Sequence, residues 1–252
     1  MRRVSIVVPE VETEEMRAQL LELFPGGFEE IDRNGSVELV AYTDRNGESL
    51  LARRFNGVSA CDVAPGWEER WREFHRPVSV GRLWIGRSWQ TRSAGFVDVV
   101  IDPGRAFGTG SHASTRLCLE LLQQLPPAAL LDVGCGSGVI AIAAAKLGFA
   151  PVTAVDIDEH AVDATLRNAA VNGVAVDALR ADARTEDLPP ADIVVANVTR
   201  ELVEQIAPRL ECRVLVAAGY LAEGELRLPE FHAVKRLEDD GWAADLFERV
   251  AQ

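Results

Sequence analysis

The sequence predicts an α/β protein: an open, mostly parallel sheet preceded by a small α+β domain. Three observations carry this. From about residue 97, apolar strand-like runs alternate with helical segments, the order that buries a parallel sheet under helices on both faces. A glycine-rich turn, Gly134-Cys135-Gly136-Ser137-Gly138, joins one such strand to one such helix. Asp156 ends the next strand, about 20 residues on, where a carboxylate meets ribose hydroxyls in folds of this kind.

Residues 1–64 read as the small α+β domain. Val4, Ile6 and Val8 alternate as in a strand. Residues 13–24 set Met16, Leu20, Leu23 and Phe24 at helical spacing behind a Thr13 cap, and Pro25-Gly26-Gly27 stops that helix. Strand-like runs at 28–31 and 37–42 flank Asn34-Gly35, a hairpin signal. A further helix and strand fit between residues 49 and 63, which gives the β-α-β-β-α-β order of a ferredoxin-like unit. Residues 65–96 read as a Trp-rich linker or hinge. Trp67, Trp71 and Phe74 recur at helical spacing, and Trp84 and Trp89 follow. Packing of large side chains at a hinge is the preferred reading over a substrate platform.

Residues 97–252 form the expected main domain. Strands are predicted at 97–101, 129–133, 152–155, 176–179, 193–196 and 214–217, with helices at 113–125, 139–147, 159–172 and 200–210. Runs at 231–237 and 242–250, separated by Glu238-Asp239-Asp240-Gly241, read as a closing hairpin.

Composition narrows the function classes. Of 252 residues, 48% are hydrophobic and 26% charged, which excludes a disordered or low-complexity chain. A net charge of −13 argues against direct nucleic-acid binding. The apolar stretch at residues 4–8 is too short for a signal-peptide core, and no run has membrane-spanning length. Cys61, Cys118, Cys135 and Cys212 lie far apart and read as free thiols of a cytoplasmic protein. His75, His160 and His232 lack metal-ligand spacing, so no metal is expected. His112 reads as a helix-start histidine satisfied by loop hydrogen bonds.

The glycine turn indicates the cofactor. A dinucleotide fingerprint counted from Gly134 needs glycine at the position of Val139, and a phosphate-binding lysine loop is absent. Asp132 precedes the first glycine by two positions and suits a cationic amino group, held directly or through water. Asp132, Gly134, Gly136 and Gly138, with Asp156 beyond, resemble the S-adenosylmethionine site of Rossmann-like methyltransferases. Asp182 follows the next strand. It is a candidate for the adenine amino group, with a solvated loop acid an equal alternative.

Two more motifs narrow the resemblance. Residues 102–112 read DPGRAFGTGSH, with Ser114-Thr115 following, and Asn197 closes the strand end Val195-Ala196-Asn197-Val198. With LLDVGCGSGVIAIAAAKLG and AVDID in order, residues 97–218 resemble the PrmA-type methyltransferases of the large-subunit ribosomal protein L11. The resemblance implies a Rossmann-like methyltransferase sheet that uses S-adenosylmethionine. It implies methyl transfer to lysine side chains and the α-amine of that ribosomal protein, recognised by the small N-terminal domain of a monomer. Carried over by position, Thr115, Gly134 with Gly136, Asp156 and Asn197 contact the cofactor, Ile157 joins them beside Asp156, and Phe107 lies in a loop over it. Two features depart from the family: Asn197 is followed by Val198-Thr199-Arg200, and residues 221–230 are too few for a full last helix.

Such chemistry is an in-line displacement by a neutral amine, so it needs alignment and desolvation more than a triad or metal. Asn197 either orients the amine or caps the helix that begins near Thr199. The competing readings are a related methyltransferase acting on another protein or a small amine, and a non-catalytic sensor of the cofactor.

Overall fold

The computed structural model describes residues 2–9, 13, 16, 19, 20, 23, 24, 28–33, 35–63, 77–92, 94–102 and 110–250. The chain divides into two compact units, 1–76 and 77–252.

In the first unit, β1 (Arg2–Pro9), β2 (Glu29–Asp32), β3 (Ser36–Thr43) and β4 (Ser59–Asp62) pair in the order β2-β3-β1-β4, every neighbour antiparallel. Thr13, Met16, Gln19, Leu20 and Leu23 are helical between β1 and β2, and α1 (Arg45–Arg54) joins β3 to β4. Val4, Ile6 and Val8 pack one sheet face against Leu20, Phe24, Leu39 and Leu51. Helix α1 starts earlier than the sequence reading placed it. Asp44 accepts from the N–H groups of Asn46 and Gly47, both at 2.9 Å, and so fixes the first turn. Buried Glu38 on β3 is bracketed by Arg33 (2.5 Å) and Arg3 (2.9 Å), which hold its carboxyl at about 2.

The second unit begins at Pro77, so residues 77–96 are not linker. Here β5 (Val78–Val80), β6 (Leu83–Gly86) and β7 (Val97–Val100) form a separate three-stranded sheet, with Leu83, Trp84 and Ile85 at most 2% exposed. Burial of these apolar side chains ties the segment to the main core. Trp84 is thus a core residue and Trp89 a surface one. Trp67, Trp71 and Phe74 lie outside the described residues. Strand β7, read from sequence as the first of the large sheet, pairs with β6 instead.

The large sheet holds β8 (Leu130–Val133), β9 (Val152–Asp156), β10 (Asp177–Arg180), β11 (Ile193–Asn197), β12 (Val214–Leu221), β13 (Phe231–Asp239) and β14 (Trp242–Arg249). Their order is β10-β9-β8-β11-β12-β14-β13. The first five run parallel, and β14 inserts antiparallel beside β12. Helix α2 (Ala113–Leu122) precedes β8, α3 (Val139–Leu147) joins β8 to β9, α4 (Glu159–Asn172) joins β9 to β10, and α5 (Arg200–Ile206) lies between β11 and β12. The central strands are apolar on both faces: Ile193, Val194, Val195 and Ala196 are at most 1% exposed, as a doubly covered sheet requires. Between β12 and β13 the chain makes a turn and no helix. The chain leaves β8 toward β9 on one side, and β11 flanks β8 on the other. That reversal is where ligands bind in such sheets.

Candidate active site

The site begins with the turn after β8. The N–H groups of Gly134 and Cys135 both donate to the Val155 carbonyl, at 2.8 and 3.1 Å, which laces the turn to β9. Gly134 has φ +75°, and a Cβ there would lie 2.5 Å from a Val198 methyl. Only glycine serves, because the backbone is left-handed and the space is taken. Behind the turn, α4 holds its shape: Asn168 Nδ2 donates to the Ser137 carbonyl at 2.9 Å.

A cavity of about 720 Å³ opens at the carboxyl ends of the parallel strands. Gly134 and Gly136 line its middle, Asp156, Ile157, Asp182 and Arg184 one end, and His112, Thr115, Asn197 and Trp242 the other. Asp156 Oδ2 accepts from Gly136 N–H and Oδ1 from Asp158 N–H, each at 3.0 Å. Its carboxylate therefore fixes the turn while keeping lone pairs for a ligand. Ile157 is 53% exposed beside it, an apolar side chain left open within the cavity lining. Asp182 accepts from Arg184 Nε and Nη2 at 2.9 and 2.8 Å, and the guanidinium holds its carboxyl at about 2. It is an ion-paired cavity residue, not merely a solvated loop acid.

Asp132 is placed differently from the direct contact considered in the sequence reading. It is 1% exposed and does not line the cavity. Its Oδ2 accepts from Ala141 N–H at 3.1 Å, its Oδ1 has no partner among the described residues, and burial pushes the carboxyl up to about 7. Strand alternation explains this: Asp132 stands on β8 beneath the turn it precedes, packed under α3. Cys135 lines the cavity, but burial pushes its thiol to about 12, so it is no nucleophile at neutral pH.

At the other end, Asn197 Nδ2 donates to Thr115 Oγ1 at 3.2 Å. The helix-cap reading of Asn197 fails, because Thr199 caps α5 by accepting from Leu202 N–H. His112 precedes α2 but makes no side-chain cap bond. Its Nδ1 pairs with Ser114 Oγ at 2.8 Å, and its ring meets Trp242 edge-on, with centroids 4.5 Å apart. Phe107 lies outside the described residues.

The sequence reading missed Trp242, Val198 and Gly219. Gly219, at φ +99° within the β12 irregularity, leaves no room for a Cβ, which would lie 2.3 Å from the Val198 carbonyl. The Asp239-Asp240-Gly241 turn signalled the hairpin that ends at Trp242. Nothing in one sequence tells that β14 slots in beside β12 and so brings that tryptophan to the cavity.

A glycine turn at the switch point of a seven-stranded sheet, an acid at the next strand end and one cavity spanning both define a Rossmann-like methyltransferase fold. Residues 31–244 match the family described as ribosomal protein L11 methyltransferase (PrmA), and the chain belongs to that family. A ribosomal protein L11 methyltransferase of Azotobacter vinelandii is 44% identical over 192 residues, 70% of this chain and 65% of that protein. One from Geotalea uraniireducens is 40% identical over 182 residues, 63% of this chain and 58% of its own length. The chain thus spans under two thirds of the length of these curated relatives. The crystal structure of a ribosomal protein L11 methylase from Lactobacillus delbrueckii subsp. bulgaricus superposes with a TM-score of 0.60 at 26% identity. It covers 69% of this chain and 98% of that one.

Proposed function

We propose that this chain transfers methyl groups from S-adenosylmethionine to amino nitrogens of ribosomal protein L11, both lysine side chains and the α-amine. The observation that carries it is the Asn197–Thr115 pair at the cavity end away from Asp156. It sets an amide oxygen, with no partner among the described residues, where an acceptor amine has to be oriented.

The residues fit the cofactor. The cavity suits a nucleoside joined to an amino acid. Gly134 and Gly136 line the cavity, and Asp132 Oδ1, without a partner among the described residues, lies behind the turn as a buried oxygen that can turn negative beside a cationic ligand. The cofactor, when bound, supplies a methyl group activated by its sulfonium. Asp156 would hold the ribose, Ile157 and Asp182 the adenine, and the Gly134-Cys135-Gly136 backbone the amino-acid end. Thr115 fixes the Asn197 amide, and Asn197 Oδ1 accepts an N–H from the incoming amine. A lysine near pKa 10.4 has to shed its proton first, which the largely apolar cavity favours by penalising the charged form. The first domain would recognise the ribosomal protein. A monomer working in a reducing cytoplasm suits four cysteines free of disulfides.

Incubation with labelled S-adenosylmethionine and purified L11, followed by mass mapping, tests this. Methyl groups on lysines and the α-amine are expected. Label that stays in the cofactor with L11 present, or that appears only on a small amine, overturns the proposal.

A further inference from the structure

The acceptor end of the cavity holds a second polar group that the reaction, as described so far, does not use. His112 lines the cavity and is bonded to Ser114, whose neighbour Thr115 is bonded to Asn197. Its ring is fixed twice: Nδ1 is bound to Ser114 Oγ at 2.8 Å, and the Trp242 ring packs against it at 72°. Nε2 is left without a partner among the described residues. His112 stands at the start of α2, as the sequence reading placed it, with its side chain bonded to Ser114 and not capping the helix.

We infer that His112 is a catalytic residue of the acceptor side, its Nε2 accepting a hydrogen bond from an N–H of the amine being methylated. The inference rests on the methyl-transfer reading above. With its proton on Nδ1, the imidazole donates to Ser114 Oγ and turns a lone pair on Nε2 toward the cavity. Asn197 Oδ1 and His112 Nε2 then hold two N–H bonds of a neutral primary amine, which leaves its lone pair free to attack. As the new N–C bond forms and the methyl–sulfur bond of the sulfonium breaks to leave a neutral thioether, the positive charge passes to the nitrogen and its N–H groups become more acidic. Both hydrogen bonds strengthen toward the transition state, which is where binding accelerates a reaction. His112 moves no proton in this step, and the ammonium product gives its proton to water afterwards.

The surroundings keep the imidazole neutral. Burial lowers its pKa first, then Arg116 one turn along α2, against Asp240 of the β13–β14 turn. Arg116 is itself tied to Asp239 at 2.5 Å. A protonated His112 would lose the Nε2 acceptor and repel a cationic partner. Activity in the wild type should therefore fall below the imidazole pKa over and above the loss due to the amine's own protonation.

The test compares full-length wild type, His112→Ala and His112→Gln, with S-adenosylmethionine and L11 as substrates. His112→Ala should lower kcat by about 10- to 100-fold, as for loss of one oriented transition-state hydrogen bond. Its affinity for S-adenosylhomocysteine, measured calorimetrically, should stay within about threefold of wild type. His112→Gln places an amide oxygen near the Nε2 position and should recover much of the rate. The ratio of wild-type to His112→Gln rates cancels the titration of the amine. It should be flat above neutrality and fall as the imidazole protonates. NMR of the wild type bound to S-adenosylhomocysteine should show the His112 imidazole still neutral at pH 7, with its Nε2 signal shifted on adding L11. Unchanged kcat in His112→Ala, a matching loss of cofactor affinity, or a pH-independent rate ratio overturns the assignment while the methyl-transfer reading stands. A wild type that methylates nothing in L11 overturns both.

Discussion

Asn197 and Thr115, far apart in sequence, meet through a 3.2 Å hydrogen bond from Nδ2 to Oγ1. The bond decides the orientation of the Asn197 amide, because a hydroxyl held by the nitrogen leaves the oxygen for a ligand. Asn197→Ala should leave the melting temperature within about 2 °C, since it caps no helix, and lower turnover roughly 100-fold through lost alignment. Asn197→Asp should fall further near neutral pH and partly recover as pH rises, because a carboxylate favours the protonated, unreactive amine. Thr115→Val should behave as a weaker copy of Asn197→Ala, about 10-fold down in turnover. Thermal melts together with turnover between pH 6.5 and 9.5 check all three. Wild-type turnover for Asn197→Ala would remove it from the mechanism.

Asp156 carries two duties in one carboxylate, holding the N–H groups of Gly136 and Asp158 and facing the cavity. Asp156→Ala should weaken cofactor binding by about 1.5–3 kcal/mol, the scale of a charge-assisted hydrogen bond. It should also cost about 1 kcal/mol of stability from the two freed N–H groups. Asp156→Asn keeps an oxygen acceptor, so its affinity should lie between the two. Calorimetry with S-adenosylhomocysteine that finds Asp156→Ala as tight as wild type would remove Asp156 from the site.

The parts of the site legible in the sequence were those written locally. A glycine turn between an apolar strand and an apolar helix fixes its own geometry, and an acid at a strand end is placed by the strand. Gly134, Gly136, Asp156 and Asn197 therefore fall on the cavity as their positions implied. What failed depends on partners distant in sequence. Residues 77–86 look like Trp-rich linker until β6 is seen to pair with β7 and bury Trp84. Whether Asp132 faces the ligand or the core turns on how α3 packs over β8. Trp242 reaches the cavity only because β14 lies between β12 and β13.

The division at Arg76–Pro77 gives a direct test of what the first unit does. Every described residue that lines the cavity comes from 112 onward. A chain of residues 77–252 should fold and bind S-adenosylhomocysteine within about threefold of the full chain, since it keeps every lining side chain among the described residues. Its methylation of L11 should fall at least about 100-fold if the first unit recognises that protein, because the remote binding that positions the amine is gone. Undiminished methylation of L11 by the shortened chain would end the recognition role. Loss of cofactor binding would show that the first unit supports the cavity itself.

Asp132 makes stability depend on pH in the direction opposite to a salt-bridged acid. Its carboxyl is raised to about 7 in the folded chain by burial and stands near 3.9 when unfolded. Between those values the folded chain holds a proton that the unfolded chain has released. Stability is then lost as pH climbs from about 4 to about 7, and the loss levels off once both states are ionised. Asp132→Asn, neutral throughout, lacks this slope and keeps an oxygen for Ala141 N–H. The two chains should melt at similar temperatures at pH 5, and the wild type should fall below the variant by pH 7.5. A cationic ligand reverses the balance, since it favours the charged carboxylate that burial disfavours. Binding of S-adenosylmethionine at pH 6 should therefore release protons, seen as a dependence of calorimetric enthalpy on buffer ionisation heat, and Asp132→Asn should not show that release. Were the melting difference constant from pH 5 to 7.5, and binding enthalpies equally buffer-independent in both chains, Asp132 would be a fixed charge and the unpartnered Oδ1 would have no part in cofactor binding.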